Sequence, residues 1–135
     1  MKRTIAIVLL LITISMLLVG CKPKFDLETC ITNLEANGFV LKIENDNSSS
    51  SYTYDDERFR VVGQRSLNLS SDRSKYVLIN IMESPEAAEQ VVLRTLAYRK
   101  ENPIPTNVKI AYGGNCVIYC NYEPAMELIG LKFEN

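Results

Sequence analysis

Between Ile5 and Gly20 the chain carries sixteen residues without a charge, and the run stops at Cys21. Lys2 and Arg3 stand just before it, and Thr13 and Ser15 are its only hydroxyl-bearing interruptions. A membrane-spanning helix needs about 20 apolar residues, so a cationic head with so short an apolar body has the pattern of a secretory signal. Everything that packs must therefore come from the 115 residues that follow. That length suits one domain, which can bury roughly two thirds of the surface its unfolded chain exposes.

Charge narrows the partners. The chain has 15 Lys and Arg against 16 Asp and Glu, and setting aside Lys2 and Arg3 leaves 13 against 16, a formal −3. A nucleic-acid binder needs clustered cations to displace counterions, and mild acidity argues against one. There is no histidine. A Ser-His-Asp triad, an H-E-x-x-H zinc site, a Cys-His dyad and a haem histidine are each impossible. No cofactor is expected.

The end of the apolar run, Leu18-Val19-Gly20-Cys21, resembles the lipobox of bacterial lipoproteins: leucine, a small or aliphatic residue, glycine or alanine, then cysteine. Gly20 is small enough to enter a peptidase cleft beside the membrane, and Cys21 is the one nearby nucleophile able to form a thioether. The resemblance covers the first 21 residues. It implies recognition of Leu18, Val19 and Gly20 by a signal peptidase, and a diacylglycerol on Cys21 bearing two fatty-acyl chains of the palmitate kind. It also implies cleavage after Gly20 and residence on the outer side of the cell membrane. One acyl chain gives marginal, reversible binding, whereas stable anchoring takes two signals. The implied layout is a removed signal peptide over residues 1–20, an anchor and tether over 21–25, and one extracytoplasmic domain over 26–135.

Only Lys22, Pro23, Lys24 and Phe25 separate the lipid from the first helical signal, and four residues reach at most about 14 Å. Lys22 and Lys24 either face anionic headgroups, at about 1 kcal/mol each, or are simply solvated.

Within the mature chain, Asp26 caps a helix whose apolar positions Leu27, Cys30, Ile31 and Leu34 follow i, i+3, i+4, i+7, and Gly38 stops it. Phe39 to Glu44 alternates and reads as a strand. Asn45 to Ser51 reads as a polar loop. Arg58–Val62 and Arg65–Leu69 are strand-like around Gly63, and together suit one bulged strand. Ser70-Ser71-Asp72 is a turn, and Tyr76 to Met82 is nearly continuous in apolar residues, as a central strand would be. Ser84 and Pro85 open a helix with Ala87, Ala88, Val91, Val92, Thr95 and Tyr98 on one face, running out at Asn102-Pro103. Val108–Tyr112 and Cys116–Cys120 flank Gly113-Gly114-Asn115, a hairpin turn. Glu123-Pro124 opens a last helix; a strand followed by Glu, Pro, Ala and Glu thus occurs twice, over 83–89 and 123–127, either as two related strand-helix units or as shared capping chemistry. The order α-β-β-β-α-β-β-α, with hairpin-linked strands, predicts a small α+β two-layer sandwich: a mostly antiparallel sheet with helices on one face.

With Cys21 lipidated, three cysteines remain, in a compartment where disulfides persist. Cys116 and Cys120 lie four residues apart on one strand face, roughly 13 Å, which no disulfide spans. Either can meet Cys30 on the inward face of the first helix, closing a loop that stabilises by about 4 kcal/mol on the chain-entropy model. The alternative is three small buried apolar side chains, since free cysteine packs like one. A metal site lacks a fourth ligand, so none is expected.

Asp46, Ser48, Ser50 and Glu57 match ligand positions of a calcium loop, but Ser51 stands where the turn needs glycine, and the flanks are strand-like. Asn47-Ser48-Ser49 and Asn68-Leu69-Ser70 match glycosylation acceptors by chance. Asp55-Asp56-Glu57 suits a cation or a basic partner. Tyr52, Tyr54, Tyr112 and Tyr122 lie in or beside loops, where tyrosine serves interfaces or core edges. Gly113-Gly114 precedes a strand, not the helix a phosphate site wants. The sequence thus points to a membrane-anchored, non-enzymatic binding or interaction module at the bacterial envelope, with an envelope protein or a small ligand as partner. The alternative is an inhibitor or immunity-type lipoprotein that caps another envelope protein. An enzyme using carboxylates or a thiol is the third class.

Overall fold

A computed structural model describes residues 24–135. Local chemistry sets the helix starts. The Asp26 carboxylate accepts from the Thr29 backbone N–H at 2.9 Å and opens α1, Leu27–Ala36. The Ser84 hydroxyl accepts from Ala87 N–H at 3.1 Å and opens α2, Pro85–Glu101, with proline in the first turn. A third helix, α3, spans Glu123–Ile129.

The strands are β1 (Phe39–Asn45), β2 (Ser51–Tyr54), β3 (Glu57–Leu69), β4 (Asp72–Met82), β5 (Lys109–Gly113) and β6 (Cys116–Cys120). They form one antiparallel sheet in the order β1-β3-β4-β6-β5, with β2 paired to the first half of β3. The α+β class and the expected element order hold, and β4 is the central strand. One short strand is added. β2 occupies Ser51–Tyr54, and the turn that joins it to β3 places Asp55 and Asp56 at φ of 48° and 67°. Two residues at positive φ make the tight hairpin turn that matches strand twist. β1 and β2 follow the same edge of β3, since Val61 N–H donates to the Ser50 carbonyl between them at 3.0 Å.

The helices do not share one face of the sheet. Along β6, Cys116, Ile118 and Cys120 pack with α1 and α3 through Cys30, Ile31, Leu34, Ala125 and Met126. Val117, between them, packs in a second core with Ala87, Ala88, Val91 and Val92 of α2. Neighbouring strand residues point to opposite faces, so α2 covers the face opposite α1 and α3. The expectation of two layers with helices on one side is corrected to a sheet with helices on both. β4 meets this demand because it is apolar on both sides: Val77 and Ile79 enter the first core and Met82 the second.

β3 serves both cores through a bulge. Its pairing with β4 skips a residue between Val61 and Gly63, so Phe59 and Val61 face α2 whereas Leu67 faces α1. Gly63 sits where the chains are tight, since a Cβ there would lie 3.0 Å from the Asn45 carbonyl oxygen. After α3 the chain returns along β5, where Ile110 and Glu134 exchange both backbone hydrogen bonds, at 2.8 and 2.9 Å.

Candidate functional site

Cys21 and the preceding Leu18, Val19 and Gly20 lie outside the described residues. The chain is described from Lys24, and Phe25 already packs against the α1/α3 core. Its ring lies over Gly113: a Cβ there would come within 2.7 Å of Phe25 Cγ and 2.8 Å of Leu131 Cδ1. The absence of a side chain at Gly113 is what seats Phe25, which stands four positions after Cys21 in the chain.

The three remaining cysteines come together on the α1/α3 face as free, buried thiols. Burial pushes the Cys30 thiol up to about 12, with smaller contributions from Cys116, Asp26 and Cys120. Burial also raises Cys116 to about 11 against the opposing pull of Arg65, and it raises Cys120. A thiol held protonated is a poor nucleophile and a poor metal ligand. Among the described residues no cluster of Cys, Asp or Glu is arranged to hold a metal ion.

Arg65, buried on the same face, was not singled out by its sequence context. Its guanidinium donates to the Asn45 and Gln64 carbonyls at 3.2 and 3.1 Å and to Asp46 Oδ1 at 2.7 Å, with Glu44 at 3.7 Å. Asp46 is thus an ion-pair partner, and Ser51 and Glu57, the later residues of the calcium-loop match, begin strands. Glu57 pairs with Arg94 of α2. Asp55 and Asp56 form the β2–β3 turn.

The tyrosines divide. Tyr52 and Tyr54 turn inward from β2. The Tyr52 hydroxyl accepts from Asn80 Nδ2 at 2.6 Å and shares a 3.0 Å hydrogen bond with the Tyr119 hydroxyl, while Gln64 Nε2 donates to Asn80 Oδ1 at 3.0 Å. Burial raises both phenols above their ordinary range. This network ties the β2–β3 hairpin to the centre of the sheet, and its one sequence signal is Asn80 inside an apolar strand. Tyr54 bonds Thr95 of α2 at 2.8 Å. Tyr112 reaches Glu89 at 3.1 Å, a contact that raises its phenol. Tyr122 packs near Phe39, with ring centroids 6.3 Å apart. Tyr52, Tyr54 and Tyr122 are partly buried against the two cores, Tyr112 is 40% exposed, and Tyr98, expected on the buried face of α2, is 58% exposed.

An open groove of about 560 Å³ lies at the C-terminal end of α2. Leu96, Arg99, the Pro103–Thr106 linker and Glu134 line it, and Ile104 is 71% exposed. Arg99 is held there by the Val108 carbonyl at 2.8 Å. Among the described residues no helix is long and apolar enough to cross a membrane. Comparison of the chain with family models, curated proteins and solved structures gives no match.

Proposed function

We propose that this chain is a bacterial lipoprotein whose domain acts as a non-enzymatic binding module at the cell envelope, anchored through Cys21. The observation that carries the reading is the shortness of the join between lipobox and fold. Phe25 is packed into the domain, so the four steps from Cys21 span at most about 14 Å. A join that short suits a body that works against the membrane surface, not one that ranges away from it. The chemistry of the domain agrees. Its thiols favour the protonated form, the opposite of what nucleophilic catalysis asks.

The partner surface in this reading is the groove at the end of α2, which offers the Arg99 and Lys100 cations beside apolar Leu96 and Ile104. The exposure of Ile104 and Tyr98 favours a second reading, a protein-capping lipoprotein of the inhibitor or immunity type, because anchors of that kind fill pockets on a protein partner. Two measurements test these readings. Cys21→Ser is expected to abolish acylation and to strand the precursor or release the protein; a variant still processed and acylated overturns the lipoprotein reading. A photo-crosslinker at Ile104 in native membranes is expected to trap its partner. A single protein adduct selects capping, and a surface that traps nothing overturns its role as the binding face.

A further inference from the structure

We infer that the end of the sheet bearing Phe25, the Gly113–Asn115 turn and the Arg58–Arg60 pair is the domain's bilayer-facing surface, with the two arginines on headgroup phosphates. The inference rests on the lipoprotein reading and adds which surface meets which lipid group.

Reach decides the orientation. β4 runs from the Ser70–Ser71 turn to the Phe25 end over 11 residues, so the two ends stand roughly 35 Å apart. A tether of at most about 14 Å keeps Phe25 close to the bilayer, so the domain cannot stand on its Ser70 end while Phe25 stays seated. Phe25 is fixed by Gly113, and Asp26 by its bonds to Thr29 N–H and hydroxyl at 2.9 and 2.6 Å. The last free joint is therefore at Lys24.

The side chains at this end fit a phosphate surface. Lys24 lines a hollow with Glu83, Ser84, Pro85, Gly114 and Asn115. The neighbouring hollow shares Glu83 and is lined by Ser49, Arg58 and Arg60. Arg58 and Arg60 are exposed on one face of β3, and among the described residues neither is in an ion pair; Arg58 Nε donates to Ser51 Oγ at 3.0 Å. Glu83 and Asp26 line the same two hollows, so net charge is not the attraction. Two arginine forks about 7 Å apart along a strand can each bind a phosphate bidentately, which a lysine cannot.

The test uses the full chain, expressed in bacteria, purified with its lipid and reconstituted in phosphatidylcholine–phosphatidylglycerol vesicles. Amide exchange is read at the Arg58–Arg60 segment, the Gly113–Asn115 turn and the Ser70–Asp72 turn. Exchange is expected to slow severalfold at the first two and to stay unchanged at the third. Arg58→Gln with Arg60→Gln is expected to remove most of that slowing at its own segment while protection at Gly113–Asn115 persists. Equal protection at both ends, or greater protection at Ser70–Asp72, on a protein whose N-terminal peptide carries diacylglycerol overturns the orientation alone. An arginine variant that exchanges like its parent overturns the phosphate contact. An N-terminal peptide without lipid overturns the lipoprotein reading and this inference with it.

Discussion

The contact between Phe25 and Gly113 can be measured by adding one methyl group. Gly113 is not among the glycines at positive φ, so the backbone accepts alanine and only the contacts are at stake. The new Cβ would lie 2.8 Å from Leu131 Cδ1, 2.7 Å from Phe25 Cγ and 3.0 Å from Phe25 Cβ. Leu131 Cδ1 is the end of a flexible side chain and can rotate away. The root of the Phe25 ring cannot move without unseating the ring. Overpacking costs about 1–3 kcal/mol, and replacing glycine returns about 0.4–1 kcal/mol through the unfolded chain, so Gly113→Ala is expected to lose about 1–2 kcal/mol. Phe25 is only partly buried, so Phe25→Ala should cost about 2 kcal/mol, below the 3–5 of a full core phenylalanine. With Phe25 already alanine, the clash with the ring is gone and only the 3.0 Å approach to the residue's Cβ remains, so Gly113→Ala should be close to neutral. Urea unfolding followed by circular dichroism suits a chain without tryptophan. If the two substitutions add to within about 0.5 kcal/mol, Gly113 is not the seat of Phe25.

Other substitutions probe the rest of the fold. Ser84→Ala should cost about 1 kcal/mol by orphaning the Ala87 amide at the start of α2, and a much smaller loss in urea would place the helix start elsewhere. Arg65→Ala leaves two carbonyls without their donor and should cost about 2–3 kcal/mol, against less than about 1 for Asp46→Asn, whose own carboxylate is largely solvent-exposed; equal losses would make the ion pair, not the carbonyls, the reason for Arg65. The thiols are raised in the fold, so the unfolded chain releases their protons first. Stability is therefore full below about pH 8 and falls as pH climbs past 9 toward the folded values, by up to about 1.4 kcal/mol per pH unit per thiol; a urea midpoint equal at pH 7 and pH 10 would contradict their burial. Unfolded, unreduced mature protein is expected to show three reactive thiols, whereas one thiol would mean that Cys30 is bridged to Cys116 or Cys120.

What the sequence made legible was local. Asp26, Ser84-Pro85 and Gly38 mark helix ends because a cap acts on amides two or three residues away. The bulge at Gly63 was legible because an isolated glycine interrupts two strand patterns. β2 was not, since Tyr52 and Tyr54 alternate for only four residues, and Asp55-Asp56 lacks the glycine that usually marks such a turn. The covering of both sheet faces was written in the nearly continuous apolar run of β4, a pattern of strands buried on both sides. Read alone, that run fixes a strand's centrality but not where each helix lies. Arg65 and the Phe25–Gly113 seat depend on partners 19 and 88 positions away in sequence, and no local pattern carries such information.

Because the bulge in β3 delivers Phe59 and Val61 to one core and Leu67 to the other, the two cores share a backbone. Loosening α2 frees the first half of β3, and the register of its second half, which holds α1 through β1 and β4, loses its anchor. Two clusters on opposite sides of a sheet would otherwise be free to melt as separate units. Here the shared strand ties them into one cooperative unit, whose slowest-exchanging amides are expected in β3 and β4 and whose denaturation is expected to be a single transition.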